Sequence, residues 1–260
     1  MITELKNFYV EKGISALSFS GNCKVCEYFT MCSRNRDGSK KRPFITAKEA
    51  FISTGYETHK IPRILVLSLD PKQTDFYDVA EHRTIEEVRN HEEISSRESY
   101  YDWKPSSHWR KTYDCLFKLL GRFIKTRNIN DIRHYFAHTN CAKCRDKPGN
   151  ELSSEELFRN CSNFLPQEIS ILDPDVVITQ GDIKKFWFMH EFKEKTDWDL
   201  FANFSILKKA HPIKLNDHNA IWIEMHHPCR RDSYYQLEDV ANFNQYSELI
   251  HAYWSEYQIT

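Results

Sequence analysis

The chain has 260 residues, 40% of them hydrophobic and 14% aromatic, so it can bury a sizeable core. Its seven glycines argue against low complexity and long flexible linkers, and its net charge of −1 excludes a protein that is basic overall. A local basic face remains compatible with nucleic-acid binding, because phosphates require clustered positive charge rather than a positive protein.

Hydrophobic patterning argues against a membrane protein or an exported one. No apolar run approaches the ~20 residues that a membrane-spanning helix needs, and the first 13 residues have the pattern of an amphipathic helix rather than a signal peptide. We therefore expect a cytoplasmic protein with no membrane partner. Eight cysteines in such a chain are more typical of a metal site or buried thiols than of disulfides.

The first motif, after a predicted helix and connector over residues 1–19, is a pair of cysteines. Cys23 and Cys26 have the C-x2-C spacing that brings two thiolates to one metal ion, and Cys32 follows six residues later. Packing of two small apolar side chains is the alternative. A turn-rich basic loop over residues 33–43 comes next and is typical of a solvated segment, although its side chains could also meet phosphates.

Four apolar segments predict the strands of a parallel sheet. The clearest is 61–69, which is apolar nearly throughout, as expected of a strand that is covered on both faces. The others cover about 133–139, 175–180 and 220–225.

Helices are predicted between these strands, over 109–127, 153–172, 182–194 and 236–256. Residues 72–107 have no steady period and predict an irregular insertion with one short helix around 84–96. The alternation of strands and helices indicates an α/β fold, a three-layer α/β/α arrangement with a central four-stranded parallel sheet, in a single domain over residues 1–260.

Ligands of such sheets bind beyond the carboxyl ends of the strands. The residues at the four predicted ends are Asp70, Asn140, Gly181 and His227. The strand pattern therefore predicts that an acid, an amide, a glycine and an imidazole converge on one crevice.

The block after the second strand runs NCAKCR over residues 140–145, has Cys161 at a helix, and continues with DPDVVITQG over 173–181. These residues resemble the uracil-DNA glycosylase superfamily. This pattern looks most like the iron–sulfur branch, family 4, which also has an N-terminal C-x2-C pair. Two further motifs of the superfamily are approximated by SLDP at 68–71 and HPC at 227–229.

The resemblance implies a [4Fe–4S] cluster held by Cys23, Cys26, Cys144 and Cys161. All-cysteine structural zinc is the alternative, because four thiolates suit either group. Cys32 or Cys141 could replace one of the four ligands. Such a cluster would fasten the N-terminal region to the core rather than perform redox chemistry.

The resemblance also implies two catalytic residues. Asp70 would position water and stabilise the positive charge that develops at C1′ of the sugar, and its alternative is a turn or cap residue. His227 would donate a hydrogen bond to the base oxygen as the base leaves. A packing role for His227, with His226 as the functional residue, is the alternative.

Base recognition is expected from an amide and an aromatic ring. Asn140 can offer a donor and an acceptor to a pyrimidine edge, or it could simply form a turn. Trp109, with Phe76 as its rival, would stack on the extruded base. DNA contacts are expected from basic side chains, namely Arg230, Arg231, Lys40, Lys41 and Arg42.

We therefore expect a monomeric DNA glycosylase that flips out a pyrimidine and hydrolyses its glycosidic bond. A non-catalytic nucleic-acid-binding relative is the alternative. The chain departs from the family motifs at several positions, with Ser68 in place of glycine and Arg231 in place of a wedging leucine. It also has the long polar segment 72–107. These features lead to the hypothesis that the base is a substituted pyrimidine, such as a modified cytosine of viral DNA, with uracil as the alternative.

Overall fold

The computed structural model describes residues 1–18, 25–34, 44–71, 79–95, 99–147, 151–193, 199–204, 206–228 and 240–257. At its centre is a six-stranded mixed sheet with the strand order β1-β3-β2-β4-β6-β5. The strands are β1 (Phe51–Ile52), β2 (Ile64–Ser68), β3 (Phe136–Asn140), β4 (Val176–Gln180), β5 (Ala210–Leu215) and β6 (His218–Met225).

Strands β3, β2, β4 and β6 are mutually parallel and correspond to the four predicted strands. The prediction of a four-stranded, purely parallel sheet is nevertheless wrong, because antiparallel strands flank it at both edges. Strand β1 pairs with β3, and β5 pairs with β6 through a turn in which Asn216 has φ 50°. Neither edge strand has a clear sequence signal: β1 has only two residues, and β5 contains Pro212 and alternates buried with partly buried or exposed side chains.

The helices are α1 (Ile2–Lys12), α2 (Phe29–Arg34), α3 (Thr54–Thr58), α4 (Ile85–Arg89), α5 (His108–Leu120), α6 (Glu155–Ser162), α7 (Leu165–Leu172), α8 (Asp199–Ala202) and α9 (Val240–Tyr257). The single helix predicted over 153–172 is two helices, because Pro166 occupies the first turn of a new one. The helix predicted over 182–194 is instead a kinked 3₁₀ helix, Ile183–Phe192. In the predicted insertion, α4 continues as a π-helical turn, Asn90–Ile94.

Two hydrophobic cores cover the two faces of the sheet. On the first, here called the α1 face, Leu65 and Leu67 of β2 pack with side chains of α1, α6 and α7. On the second, the α5 face, Ile64 and Val66 pack with side chains of α5 and α9. The predicted α/β class is therefore confirmed. Within the described ranges, no helix has the length and hydrophobicity needed to cross a membrane.

A buried ion pair joins the α1 face to the segment after β3. Lys143 Nζ lies 2.6 Å from Glu168 Oε1, and both side chains are completely buried. The same carboxylate oxygen accepts hydrogen bonds from the Tyr9 hydroxyl at 2.6 Å and the Thr139 hydroxyl at 2.7 Å. The pair therefore connects α1, β3, α7 and the loop that contains Lys143.

Breaking this pair should destabilise the protein strongly. Glu168→Gln leaves the Lys143 ammonium buried without its counter-charge, so the free energy of unfolding should fall by about 3–5 kcal/mol. The matched control is Glu248→Gln, which breaks the half-exposed pair with Arg122 and should cost less than ~1 kcal/mol. Urea unfolding of both variants measures the difference, and equal losses would contradict the assignment.

Candidate active site and cysteine centre

The carboxyl ends of the four parallel strands lie at one edge of the sheet. In the register, Ser68 is opposite both Asn140 of β3 and Gln180 of β4. Asp70 follows β2 and His227 follows β6 at this same edge. Gly181, after β4, has a packing reason to be glycine: a Cβ there would lie 2.7 Å from the Leu69 side chain.

Polar side chains line the α5 face at this edge. Because side chains alternate along a strand, Ser68 and His138 lie on the same face as Val66 and Phe136. Ser68 Oγ is 3.0 Å from His138 Nε2 and 3.4 Å from Nε2 of His108, the first residue of α5.

Two further contacts hold the first turns of α5 against the sheet edge. Thr112 and Gln180 hydrogen bond through their side chains, and Lys111 Nζ donates to the Pro228 carbonyl at 2.7 Å. The start of α5 therefore covers this edge and links β2, β3, β4 and the segment after β6.

Asn140 is the polar residue best placed for a ligand. It is the last residue of β3, and its side chain is only 4% exposed. Within the described residues, no hydrogen bond is formed by its side-chain amide. The amide therefore keeps both a donor and an acceptor for a bound group.

The rings of His227 and Trp109 both contact the ring of His108. The His227 ring centroid is 5.1 Å from that of His108, and the Trp109 ring meets His138 edge-to-face at 4.9 Å. Trp109 also lines a small cavity, together with Lys48, Phe51, Glu92, Tyr113, Phe136 and His138. His226, the alternative to His227, has its Nδ1 3.2 Å from Lys209 Nζ.

Asp70 is anchored through one of its two carboxylate oxygens. Asp70 Oδ2 accepts hydrogen bonds from the Ser153 amide at 2.9 Å and its hydroxyl at 2.8 Å. Nη1 of Arg145 is 3.5 Å from the same oxygen. Among the described residues, Oδ1 has no hydrogen-bond partner. The carboxylate is therefore restrained in position while one oxygen stays available.

Seven predicted site residues lie outside the described residues: Cys23, Lys40, Lys41, Arg42, Phe76, Arg230 and Arg231.

Four cysteines line a second cavity on the α1 face: Cys26, Cys32, Cys144 and Cys161. The rest of its wall is mainly apolar, with Ile14, Phe29, Phe44, Leu157 and Phe164 among the lining residues. Three of the four predicted ligands are therefore brought together, and Cys32 joins them. Cys141 is elsewhere, with its Sγ 3.2 Å from the Lys185 carbonyl oxygen to which it donates.

The donor chemistry of this cavity fits an iron–sulfur cluster or zinc, because four cysteines line one small, mainly apolar cavity. In the described part of the chain, no group of three or more His, Cys, Asp or Glu side chains is arranged to hold a metal ion. Burial raises the pKa of Cys144 well above its usual value and that of Cys161 to about 12. The thiols are therefore protonated at neutral pH, and a metal would have to displace those protons.

Sequence reasoning missed several residues of these sites, notably Ser68 as a hydrogen-bonding group, His108, His138, Arg145 and Ser153. A signal existed for two of them, since Ser68 and His138 are polar residues inside otherwise apolar strands. The contacts of Arg145 and Ser153 with Asp70 span more than seventy residues of sequence and left no local pattern.

In comparisons with known proteins, neither a family model nor a curated protein matches this chain.

The cysteine centre is tested by its colour and metal content. An iron–sulfur cluster absorbs broadly near ~400 nm, and Cys144→Ser or Cys161→Ser should remove that absorption and the bound iron. Cys115→Ser is the matched control, because Cys115 is buried on the α5 face beside Met225. Stoichiometric zinc in a colourless protein would contradict the iron–sulfur assignment and keep the cysteine site.

The buried imidazole of His138 should make stability depend on pH. Burial, and then the charges of Lys48, His108 and Lys143, lower its pKa well below the usual value. In acid, the unfolded chain therefore binds a proton that the folded protein does not. Stability is complete above about pH 6.5 and falls below it by up to ~1.4 kcal/mol per pH unit.

The measurement is urea unfolding between pH 7 and pH 5. His138→Gln should reduce the pH slope of the free energy of unfolding. An unchanged slope in His138→Gln would show that other groups cause the acid destabilisation.

Proposed function

We propose that this protein is a DNA glycosylase that extrudes a pyrimidine nucleotide and hydrolyses its N-glycosidic bond, leaving an abasic site. The observation that carries the proposal is the pairing of two available polar groups at one sheet edge. Asn140 presents a side-chain amide without a hydrogen-bond partner within the described residues, and Asp70 presents an anchored carboxylate with a similarly available Oδ1.

Each group has a distinct part in this chemistry. Breaking the glycosidic bond builds positive charge at C1′ of the sugar, and Oδ1 of Asp70 would stabilise that charge and orient the attacking water. Asn140 would hydrogen bond to the edge of the flipped base, which identifies it as a pyrimidine.

Imidazole and indole side chains supply the remaining roles. His227 would donate to the base oxygen, where negative charge collects as the base departs. The contact between the His108 and His227 rings supports a fixed orientation for that donor. Trp109 would form an aromatic wall of the base pocket.

The cysteine centre would contribute structure to this enzyme. Cys26, Cys144 and Cys161, with Cys23 or Cys32, would hold an iron–sulfur cluster that cross-links the N-terminal segment to the core. Its place on the α1 face, with Asn140 and Trp109 on the α5 face, supports a structural role over a redox role.

The cavity beside Trp109 bears on the choice of base. Its walls combine aromatic rings with Lys48, Glu92 and His138. Lys48 Nζ lies 3.9 Å from Glu92 Oε1, and His138 hydrogen bonds to Ser68, so these groups already have partners in the protein. A pyrimidine with a polar substituent, such as a hydroxymethylated cytosine, would add a further partner in this polar cavity and is the proposed alternative to uracil.

A non-catalytic nucleic-acid-binding protein is the second candidate, because a base can be held without being cut. The anchoring of Asp70 favours catalysis over binding alone: two donors from Ser153 hold one oxygen and leave the other available, an arrangement that simple base binding does not require.

The test uses oligonucleotides that contain uracil or hydroxymethylcytosine, followed by alkali to cleave abasic sites. Asp70→Asn should bind DNA normally and release base about 10²–10³-fold more slowly, the usual effect of losing one electrostatic stabiliser. The matched control Asp217→Asn, in the exposed turn after β5, should have the wild-type rate. DNA binding without release of either base would favour the non-catalytic candidate.

A further inference from the structure

The segment that leads from the cysteine centre to α6 is built around one buried arginine. Arg145 follows Cys144 directly and its side chain is only 3% exposed. Its Nη1 donates to the Pro71 carbonyl at 2.9 Å, its Nε to Lys147 O at 2.7 Å and its Nη2 to Glu151 O at 2.8 Å. The guanidinium therefore fastens the segment around Asp70 to the segment before α6.

Asp70 lies between the two segments that Arg145 joins. Arg145 Nη1 is 3.5 Å from Asp70 Oδ2, and the Ser153 amide and hydroxyl donate to that same oxygen. These contacts converge on Oδ2 and define where Oδ1 lies.

Backbone hydrogen bonds also connect the segment around Asp70 to the cysteine centre. Cys141 N donates to Ser68 O and Ala142 N donates to Leu69 O, each at 2.8 Å, so the pairing of β3 with β2 continues past the ends of both strands. One step further along the chain, Lys143 N lies 3.3 Å from Cys161 Sγ, to which it donates. A continuous set of hydrogen bonds therefore runs from the cysteine cavity to the residues on either side of Asp70.

We propose that Arg145 and Ser153 are positioning residues for Asp70, and that through Arg145 the cysteine centre sets the orientation of the Asp70 carboxylate. The inference rests on the proposed glycosylase function for its catalytic consequence. Its structural part is independent of that function, because it concerns where Oδ2 is held.

Ser153 provides the mildest test of positioning. Ser153→Ala removes the hydroxyl donor and keeps the amide donor, so kcat should fall about tenfold, as expected for one hydrogen bond to a charged group. KM and DNA affinity should be unchanged, and Ser153→Thr, which restores a hydroxyl, should recover most of kcat.

Ser154→Ala is the matched control. The Ser154 hydroxyl caps α6 by accepting from Leu157 N, so this variant loses stability but keeps both donors to Asp70. A kcat as low in Ser154→Ala as in Ser153→Ala would mean that lost stability, not lost positioning, causes the effect and would overturn the inference.

The coupling between the cysteine centre and Asp70 can be measured without an activity assay. The measurement is hydrogen exchange of the Ser153 amide, which donates to Asp70 Oδ2. Cys144→Ser and Arg145→Lys should each accelerate this exchange at least about tenfold, because lysine lacks the fork that spans the three carbonyls. Cys115→Ser should leave it unchanged. Unaltered exchange in folded Cys144→Ser and Arg145→Lys proteins would overturn the coupling.

The two readouts separate the possible failures. If the wild-type protein releases no base, the glycosylase function is wrong, and Ser153 exchange still decides whether Arg145 ties Asp70 to the cysteine centre. If base is released but Ser153→Ala has the wild-type kcat, the positioning inference is wrong and the function stands.

Discussion

The fully buried ion pair between Lys143 and Glu168 is the constraint on which the arrangement of both sites depends. Two charges removed from water are unfavourable unless every remaining hydrogen-bonding position is satisfied, and here the hydroxyls of Tyr9 and Thr139 complete the set. These partners come from α1, β3 and α7. Because a low local dielectric makes each missing partner costly, few alternative packings of the α1 face are acceptable.

The same lysine places the cysteine centre relative to the sheet. Its amide donates to Cys161 Sγ, and its carbonyl accepts from Lys48 N at 3.0 Å. The ion pair that holds Lys143 therefore also positions the backbone next to Cys144, in the segment that follows β3. The cysteine cavity and the edge that presents Asn140 are two ends of one ordered segment, residues 140–145.

On the opposite face, the first turns of α5 determine what the sheet edge can present. Ser68, Thr112 and Gln180 are satisfied by partners inside the protein. Asn140 differs from them in having its amide without a partner within the described residues. At this edge, several polar side chains are therefore held by hydrogen bonds within the protein, while the Asn140 amide stays available to a ligand. This arrangement is expected where a ligand must be oriented precisely.

The amino-acid sequence by itself determined the α/β class, the four central strands and the presence of polar residues at their ends. These features follow from local patterns, since continuous apolar runs and Asp-Pro or Gly boundaries mark strands wherever they occur. The tertiary structure alone decided that antiparallel strands flank the sheet, that Cys32 joins Cys26, Cys144 and Cys161, and that Arg145 and Ser153 hold Asp70. Each of these features depends on contacts between residues far apart in the chain. The local sequence does not show which cysteine, arginine or serine will make such a contact, because the packing of the whole fold brings the partners together.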